Sequence, residues 1–243
     1  MSIDLSSSTA IITGGGKGYG FGIAEALKKK GASIWITGRD EKALEDVAGR
    51  IKVQHMKADV TEAGDWDHLI QSVMKKDGRI DILVNNAGAG IHIAPLEEQS
   101  DEEIEQSISV NLTGVLIGCK RVAPIMKQQR SGTIINISSV CARQAWPGWS
   151  VYSAAKSGIV QFSKCLYTEL REWGIRVTTV IPSWGNTGFL KAANLKEFDP
   201  ETSAKSIQPI ELGKLVVTIC GLPAHLEIED MTLWPLIQKI EPL

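Results

Sequence analysis

The 243-residue sequence is poor in cysteine, histidine and net charge, and each shortage excludes a class of protein. Its four cysteines and four histidines are widely scattered, with no C-x-x-C pair, so we expect neither disulfides nor a metal site. A formal net charge of −2 leaves no basic face for nucleic-acid phosphates. Nucleic acid is therefore not an expected partner.

Long apolar runs are also scarce. No stretch reaches the roughly 20 apolar residues that cross a bilayer, and the N-terminal residues lack the basic-then-apolar order of a signal peptide. We therefore expect a cytoplasmic protein with no membrane partner. A hydrophobic content of 43% over this length is enough to form the core of one α/β domain, residues 1–243.

Short β-branched runs alternate with longer amphipathic runs, which is typical of βαβ units around a buried parallel sheet. The predicted fold class is therefore α/β, a single Rossmann-type doubly wound parallel sheet of about seven strands with helices on both faces. Strands are predicted at 9–13, 33–37, 53–58, 82–85, 133–138, 176–181 and 228–233. Helices are predicted at 21–30, 41–50, 65–76, 101–129, 151–173 and 210–220. Residues 187–208 are polar and weakly periodic, and so long a loop is predicted to be a substrate lid.

A glycine-rich turn follows the first predicted strand and leads into a helix. Glycines let the backbone approach a pyrophosphate closely, and the free N–H groups at a helix start favour its charge. A plain tight turn is the alternative, but the strand before it and the helix after it favour a phosphate site. The predicted cofactor-binding residues of this turn are Thr13, Gly14, Lys17, Gly18, Tyr19 and Gly20.

The end of the second strand is where dinucleotide folds distinguish NAD from NADP. A carboxylate there accepts hydrogen bonds from the ribose 2′-hydroxyl, whereas a guanidinium pairs with a 2′-phosphate. Gly38 occupies the position that would carry the acid, and Arg39 follows it. Because Lys17 could reach the same phosphate, the predicted cofactor is NADP. Asp40 keeps NAD as the alternative, and both cations could instead be solvated surface charges.

Tyr152 and Lys156 are four residues apart in a segment with helical periodicity, so both side chains project from one face, about 6 Å apart. A neighbouring ammonium stabilises a phenolate and lowers a pKa that is otherwise about 10. Tyr152 could then take a proton from an alcohol or donate one to a carbonyl. An ordinary amphipathic helix can show the same spacing by chance, so the pair alone identifies no site.

Five motifs together resemble the short-chain dehydrogenase/reductase family. They are the T-G-x-x-x-G-x-G turn from Thr13, the N-N-A-G sequence from Asn85, the Y-x-x-x-K sequence from Tyr152, Ser139 thirteen residues before that tyrosine, and Asn111 in a helix. The resemblance covers residues 8–187. It implies an oxidoreductase that interconverts a secondary alcohol and its ketone, or an alcohol and its aldehyde, by hydride transfer with NADP(H).

The resemblance also implies a role for each matching residue. Tyr152 would be the general acid/base, Lys156 would lower its pKa and hold the nicotinamide ribose, and Ser139 would hydrogen-bond the substrate oxygen. Asn111 would keep a water for proton exchange through Lys156. Further cofactor contacts would be made by Asp59, Val60, Asn86, Ala87, Gly88, Pro182 and Thr187.

Two positions depart from the family pattern. Tyr19 stands where the family usually has isoleucine, and Ser183 follows Pro182 where the family commonly has glycine. The first change affects packing near the pyrophosphate, and the second affects the loop that carries Thr187.

Substrate recognition is expected from the segment between Ser139 and Tyr152, the loop at residues 90–93, and the lid. Arg143 could hold an anionic group, with a surface or subunit contact as the alternative. The tryptophans could line an apolar or cation-binding pocket, or could serve packing and interfaces. The residues that these segments contribute are Cys141, Arg143, Gln144, Trp146, Trp149, Trp184 and Phe189.

Other functions remain open at this stage. They are an NAD-linked catabolic dehydrogenase, a 3-oxoacyl thioester reductase, an epimerase or dehydratase on the same scaffold, and a non-catalytic dinucleotide sensor. No basic cluster for an acyl carrier is visible, and the complete catalytic set argues against the sensor.

Self-association is also expected. Apolar residues on more than one face of the long helices predict contact with another subunit, and the family resemblance implies a homodimer or, more often, a homotetramer built from these helices. The residues that carry this prediction are Ile159, Val160, Phe162, Leu166 and Leu170.

Overall fold

The computed structural model describes residues 3–239. The expected domain also includes residues 1–2 and 240–243, which lie outside the described residues. Seven parallel strands form one sheet in the order β3-β2-β1-β4-β5-β6-β7, which confirms the predicted fold class. The strands are β1 (Thr9–Thr13), β2 (Ser33–Gly38), β3 (Gln54–Lys57), β4 (Ile82–Asn85), β5 (Gly132–Ile137), β6 (Ile175–Pro182) and β7 (Asp230–Leu233).

Helices connect the strands and lie on both faces of the sheet. They are α1 (Gly18–Lys28), α2 (Glu41–Ile51), α3 (Ala63–Asp77), α4 (Asp101–Ile108), α5 (Gly114–Gln129), α6 (Ser150–Leu170), α7 (Phe189–Ala192), α8 (Pro200–Lys205) and α9 (Pro209–Cys220). Two features differ from the predicted elements. A π-helical segment, Ser109–Thr113, interrupts the single helix expected over 101–129, and the lid segment, residues 187–208, contains two short helices.

Local signals explain where several helices begin. The Asp40 carboxylate caps α2 by accepting from the Ala43 N–H. Ser100 and Glu103 form a capping box at the start of α4. Such caps satisfy N–H groups that have no partner within the helix.

The sheet is buried on both sides because a helical layer covers each face. Every residue of β1, β4, β5 and β6 is buried. One layer consists of α1, α2 and α9, which contribute Ile23, Leu27, Leu44, Val47, Leu212 and Val216 to the core. The other layer consists of α3, α5 and α6, which contribute Leu69, Val73, Val115, Val122, Ile159 and Leu166. Both layers explain why the strands are continuous apolar runs.

The strand order reverses at β1, which lies between β2 and β4. The connections that leave β1 and β4 therefore run to opposite faces of the sheet, so the carboxyl ends of these two strands border a cleft. In open α/β sheets, ligands bind at this switch point.

The helical run Asp101–Gln129 meets the length and composition criteria for a membrane span, with a mean hydropathy of 1.2 over 18 residues. Val115, Cys119 and Val122 of this run are buried in the core against the sheet. Packing of that kind is typical of a core helix in a globular domain.

The apolar residues of α6 are distributed differently from the expected pattern. Ile159, Leu166 and Leu170 are buried in the core, whereas Val160 and Phe162 are half-buried. Three of the five residues cited for self-association therefore pack inside the protomer.

We expect the close packing of α1 on α9 to tolerate no added methyl group. A Cβ on Gly213 would overlap the carbonyl of Gly22, and one on Gly22 would overlap that of Pro209. Gly213→Ala should therefore lower the free energy of unfolding by about 1–3 kcal/mol. Gly49 in α2 has no atom within 4 Å of its Cβ position, so Gly49→Ala should instead add about 0.5–1 kcal/mol. Thermal unfolding of both variants checks the pair, and equal responses would contradict the packing argument.

Candidate active site

The glycine turn is tied to the end of β4 by hydrogen bonds. The Thr13 hydroxyl accepts from the N–H groups of Asn86 and Ala87 at 3.0 and 2.9 Å. In return, Asn86 Nδ2 donates to the carbonyls of Thr13 and Gly14 at 2.9 and 3.3 Å. The predicted turn and the N-N-A-G sequence therefore form one rigid corner at the switch point.

Glycine is required inside that corner. Gly14 has a φ of +66°, and its Cβ position lies 2.9 Å from Asn86 Nδ2. A Cβ on Gly20 would overlap the Gly14 carbonyl. Helix α1 begins at Gly18 with no side chain capping its N-terminus, so its first N–H groups are open to an anion.

A cavity of about 600 Å³ extends from this turn to the ends of β2 and β3. Most of the predicted cofactor residues line it: Gly14, Lys17, Gly18, Tyr19, Arg39, Asp59, Val60, Asn86, Ala87, Gly88 and Thr187. Thr13 and Gly20 lie behind this wall as supports, and Pro182 lines a neighbouring cavity instead.

The end of β2 is open and basic. Only Leu44 comes within 4 Å of the Cβ position of Gly38, so there is room beside that residue. The Arg39 side chain is 71% exposed, with Nη1 4.0 Å from the Asp59 carboxylate. Asp40 lines the same cavity, and its Oδ1 caps α2. A guanidinium is therefore free to approach a ligand at this position.

The second cavity has a volume of about 410 Å³ and brings together Ser139, Tyr152 and Lys156. Helix α6 places Tyr152 and Lys156 one turn apart, with Lys156 Nζ 5.7 Å from the centre of the tyrosine ring. Nζ donates to the Ile137 carbonyl at 3.1 Å. Ser139 follows β5, and its hydroxyl accepts from the Cys141 N–H.

Burial controls the protonation of this cluster. It raises the pKa of Tyr152, and the nearby Ser139 hydroxyl opposes that rise only in part. It lowers the pKa of Lys156 to about 8. We expected Lys156 to lower the pKa of Tyr152. In the structure, desolvation by burial is the larger effect, and it raises that pKa instead. At neutral pH the phenol keeps its proton, and most of the Lys156 population keeps its charge.

Asn111 is fully buried at the middle of the π-helical segment. Its Nδ2 donates to the carbonyls of Ala89 and Ser107, and its Oδ1 accepts from the Ala89 N–H. The amide thus holds Ala89 in the loop after β4 and also bonds to α4 through the Ser107 carbonyl. The Cβ position of Gly88 lies 2.8 Å from Asn111 Oδ1 and 3.2 Å from Lys156 Nζ, which places the three residues side by side.

The two cavities form one cleft. They share five lining residues, Tyr19, Asn86, Gly88, Thr187 and Phe189. The glycine turn and the Ser139–Tyr152–Lys156 cluster therefore lie in adjoining cavities, with these five residues at their common border.

Aromatic side chains enclose the second cavity. The Trp149 ring lies 5.6 Å from that of Tyr152 and 6.3 Å from that of Phe189, centre to centre. Trp184 and Phe198 form another pair at 4.8 Å. Phe189 and Phe198 belong to the lid segment, so this segment forms part of the cavity wall.

The lid segment is anchored at both ends. The Ile207 N–H donates to the Trp184 carbonyl, and the Asn186 N–H donates to the Ile207 carbonyl. Asn186 Nδ2 also donates to Gln208 Oε1. Residues 187–208 therefore leave the body of the protein and return to it at the same place.

Most of the expected substrate residues lie in this wall, namely Cys141, Trp146, Trp149, Trp184 and Phe189. Arg143 does not, in contrast to the expectation that it could hold an anionic group. Its guanidinium pairs with the Asp230 carboxylate at 2.6 Å and donates to the Thr232 hydroxyl, both on β7. Gln144 is also outside the wall, and Gly90 and Ile91 line the larger cavity.

Sequence reasoning missed several lining residues of this cavity, among them Leu190, Phe198 and Gln238. Isolated apolar residues within a polar segment were the available signal for Leu190 and Phe198. Gln238 had no signal, because it reaches the site only through contacts with the loop after β6. Its Oε1 accepts from the Ser183 hydroxyl and the Trp184 N–H.

Within residues 3–239, no group of three or more His, Cys, Asp or Glu side chains is placed to hold a metal ion. The four cysteines in that range are free thiols.

Comparison with known proteins gives a consistent result. The sequence profile described as short chain dehydrogenase matches residues 8–197. An uncharacterised oxidoreductase of Staphylococcus saprophyticus is 32% identical over 240 residues, covering 96% of this chain and 99% of the relative.

Solved structures agree along the whole fold. The closed form of a serine dehydrogenase complexed with NADP+ superposes with a TM-score of 0.88 at 28% identity, covering 97% of this chain and 98% of that one. A 3-ketoacyl-(acyl-carrier-protein) reductase from Brucella melitensis, complexed with NADH, superposes with a TM-score of 0.85 at 30% identity, covering 93% and 95%.

The Tyr19 hydroxyl is buried between the two cavities and has no hydrogen-bond partner among the described residues. It lies against the backbone of Gly185, and burial raises its pKa. An unpartnered buried hydroxyl destabilises a protein by about 1–3 kcal/mol. We expect Tyr19→Phe to raise the unfolding free energy of the ligand-free protein by an amount in that range, measured by urea denaturation. A loss of stability would show that the hydroxyl does have a partner.

Proposed function

The chain belongs to the short chain dehydrogenase family, and on that premise we propose that it interconverts an alcohol and its carbonyl compound with NADP(H). The family makes it an oxidoreductase that uses a nicotinamide dinucleotide. The observation that carries the proposal is the continuity of the cleft, which joins the glycine turn to Ser139, Tyr152 and Lys156.

The residues present fit a dinucleotide. The uncapped start of α1 and the close-packed glycine turn suit a pyrophosphate, and the cavity continues from there in both directions. Asp59 and Val60 would contact the adenine, and Asn86 to Gly88 would contact the adenosine. Pro182 and Thr187 would contact the nicotinamide end. The cofactor supplies the hydride when it is bound.

The protein would supply the proton and hold the reacting oxygen. Tyr152 Oη is protonated at neutral pH because burial raises its pKa, so it is ready to donate to a carbonyl oxygen. The Ser139 hydroxyl would donate a hydrogen bond to the same oxygen and stabilise its developing charge. Lys156, held by the Ile137 carbonyl, would place its ammonium beside the phenol and the ribose. The protonated phenol is the form that carbonyl reduction requires.

Asn111 would act as a positioning residue. Its amide fixes Ala89, and Gly88 in turn leaves the space that Lys156 Nζ occupies. Because both amide hydrogens are already donated to carbonyls, a water relay at this position would use other atoms of the π-helical segment.

Removal of the phenol hydroxyl tests the proposed chemistry. We expect Tyr152→Phe to lower carbonyl reduction by about 10²–10⁴-fold, because the proton donor is lost. Fluorescence titration should show that NADPH affinity changes little. Tyr167→Phe, on the same helix but outside both cavities, is the matched control and should keep full activity. Unchanged turnover in Tyr152→Phe would favour a non-catalytic dinucleotide sensor.

The preference for NADP rests on the charge and space at the end of β2. The open space beside Gly38 would admit a 2′-phosphate, and the exposed Arg39 would pair with it. Lys17 lines the same cavity and would add a second cation. Asp40, the residue that could favour NAD, is engaged in capping α2.

A binding experiment tests the cofactor preference. We expect NADPH to bind at least about tenfold more tightly than NADH, equivalent to about 1.4 kcal/mol, and Arg39→Ala to remove the difference. Lys42→Ala is the control, because this neighbouring cation does not line the cavity. Isothermal titration calorimetry measures all three proteins. Equal or tighter binding of NADH by the unmodified protein would instead indicate an NAD-linked dehydrogenase.

Three further features belong to the proposal. Residues 187–208 would act as a lid, because their aromatic side chains close the cavity and their ends are anchored together. The protein would work in the cytoplasm as a homodimer or homotetramer. The exposed Leu116 and the half-buried Ile117, Val160 and Phe162 on α5 and α6 offer the apolar surface for that association.

A further inference from the structure

The wall of the second cavity almost lacks charge. Among the described residues that line it, Lys156 is the only Asp, Glu, Lys, Arg or His. Lys156 is itself assigned to the tyrosine and the cofactor in the proposed function. The other polar groups in the wall are hydroxyls, a thiol, indoles and amides, which can hydrogen-bond a ligand but cannot neutralise a charge.

Five tryptophan and phenylalanine rings line the second cavity. They come from three parts of the chain: Trp146 and Trp149 precede α6, Trp184 follows β6, and Phe189 and Phe198 belong to the lid segment. The rings of Trp149 and Phe189, and those of Trp184 and Phe198, contact each other in pairs, so the wall presents flat apolar surfaces on which another ring could stack.

Arg143, the arginine nearest to Ser139 in the sequence, does not line this cavity. Arg143 is held on β7 by Asp230 and Thr232. A carboxylate or phosphate in the cavity would therefore lose its water without gaining a cation beyond Lys156. Burying an uncompensated charge costs several kcal/mol, so such ligands are strongly disfavoured.

Size sets a second limit. About 410 Å³ lies near the lower end of the range for ligand sites, roughly 300–1,000 Å³. Part of that volume belongs to the nicotinamide end, because Tyr19, Gly185 and Thr187 line it too. The remaining space suits a compact molecule of one ring.

From these observations we propose that the substrate is a compact, uncharged ketone or aldehyde whose carbonyl is attached to an aromatic or alicyclic ring. The inference rests on the proposed function and deepens it. Ser139 and Tyr152 would bind the carbonyl oxygen, and the aromatic wall would bind the ring. Amino acids, keto acids and carrier-bound thioesters with phosphate groups are then poor substrates.

A matched pair of compounds separates ring recognition from charge. Acetophenone and benzoylformate share a phenyl ketone, but benzoylformate carries a carboxylate. With NADPH, we expect kcat/KM for acetophenone to exceed that for benzoylformate by about 100-fold or more, as an uncompensated charge implies. Equal or faster reduction of benzoylformate would overturn the proposal.

A charge placed in the wall should shift this preference. Leu190 lines the cavity, so Leu190→Arg should reduce the ratio of kcat/KM for acetophenone to kcat/KM for benzoylformate by at least about tenfold. Glu197→Gln is the control, because it changes the charge of the lid segment by the same amount at an exposed position outside the wall. It should leave the ratio of the two kcat/KM values unchanged. If both variants reduce the ratio of the two kcat/KM values equally, or if neither reduces it, the assignment of this wall as the part that selects uncharged substrates is contradicted.

Binding without turnover distinguishes this inference from the proposed function. The Tyr152→Phe protein with NADPH is titrated with each compound, and the rise in unfolding temperature is followed. If acetophenone raises the unfolding temperature and benzoylformate does not, the apolar pocket is supported. If the unmodified enzyme also reduces neither compound, the proposed function fails while the inference about the pocket stands. Stabilisation by neither compound, or by benzoylformate alone, overturns the inference.

Discussion

The hydrogen bonds between Asn86 and the turn after β1 hold together the two strand ends on which the whole cleft is built. Thr13 and Asn86 exchange donors and acceptors across the switch point, so the glycine turn and the loop after β4 cannot move independently. Asn111 extends this framework by fixing Ala89, and Gly88 between them makes room for Lys156. The phosphate end and the proton-transfer end are thus positioned by one connected set of hydrogen bonds.

A single cause, exclusion of water, would account for both the proposed proton chemistry and the proposed substrate preference. Burial moves Tyr152 and Lys156 towards their neutral forms, raising the pKa of one and lowering that of the other to about 8. The aromatic rings that exclude water from Tyr152 also line the substrate side of the cavity. In such a site a charged substrate would meet one cation among the described lining residues, Lys156, whose proposed role is with the phenol and the ribose.

The lid segment is anchored at both ends by main-chain hydrogen bonds, and aromatic side chains hold it against the cavity. Main-chain hydrogen bonds between residues 184–186 and Ile207 fix where it leaves and rejoins the body. Its aromatic side chains make three ring contacts with the rest of the cavity wall, Phe189 with Trp149 and with Tyr152, and Phe198 with Trp184. Such contacts contribute about 0.5–1.5 kcal/mol each beyond the burial of their surface. In the proposed lid movement these contacts would break, whereas the main-chain anchors would stay in place.

The sequence by itself determined the seven strands, the glycine turn and the tyrosine–lysine pair, because these depend on periodicity and spacing over a few residues. It could not show the π-helical segment around Asn111, since the apolar pattern continues through it. Nor could it show that Arg143 is held by β7, because Thr232 lies 89 residues away in the chain. The enclosed aromatic wall and the burial that controls both pKa values were decided only by tertiary structure, because they arise where distant segments meet and exclude water.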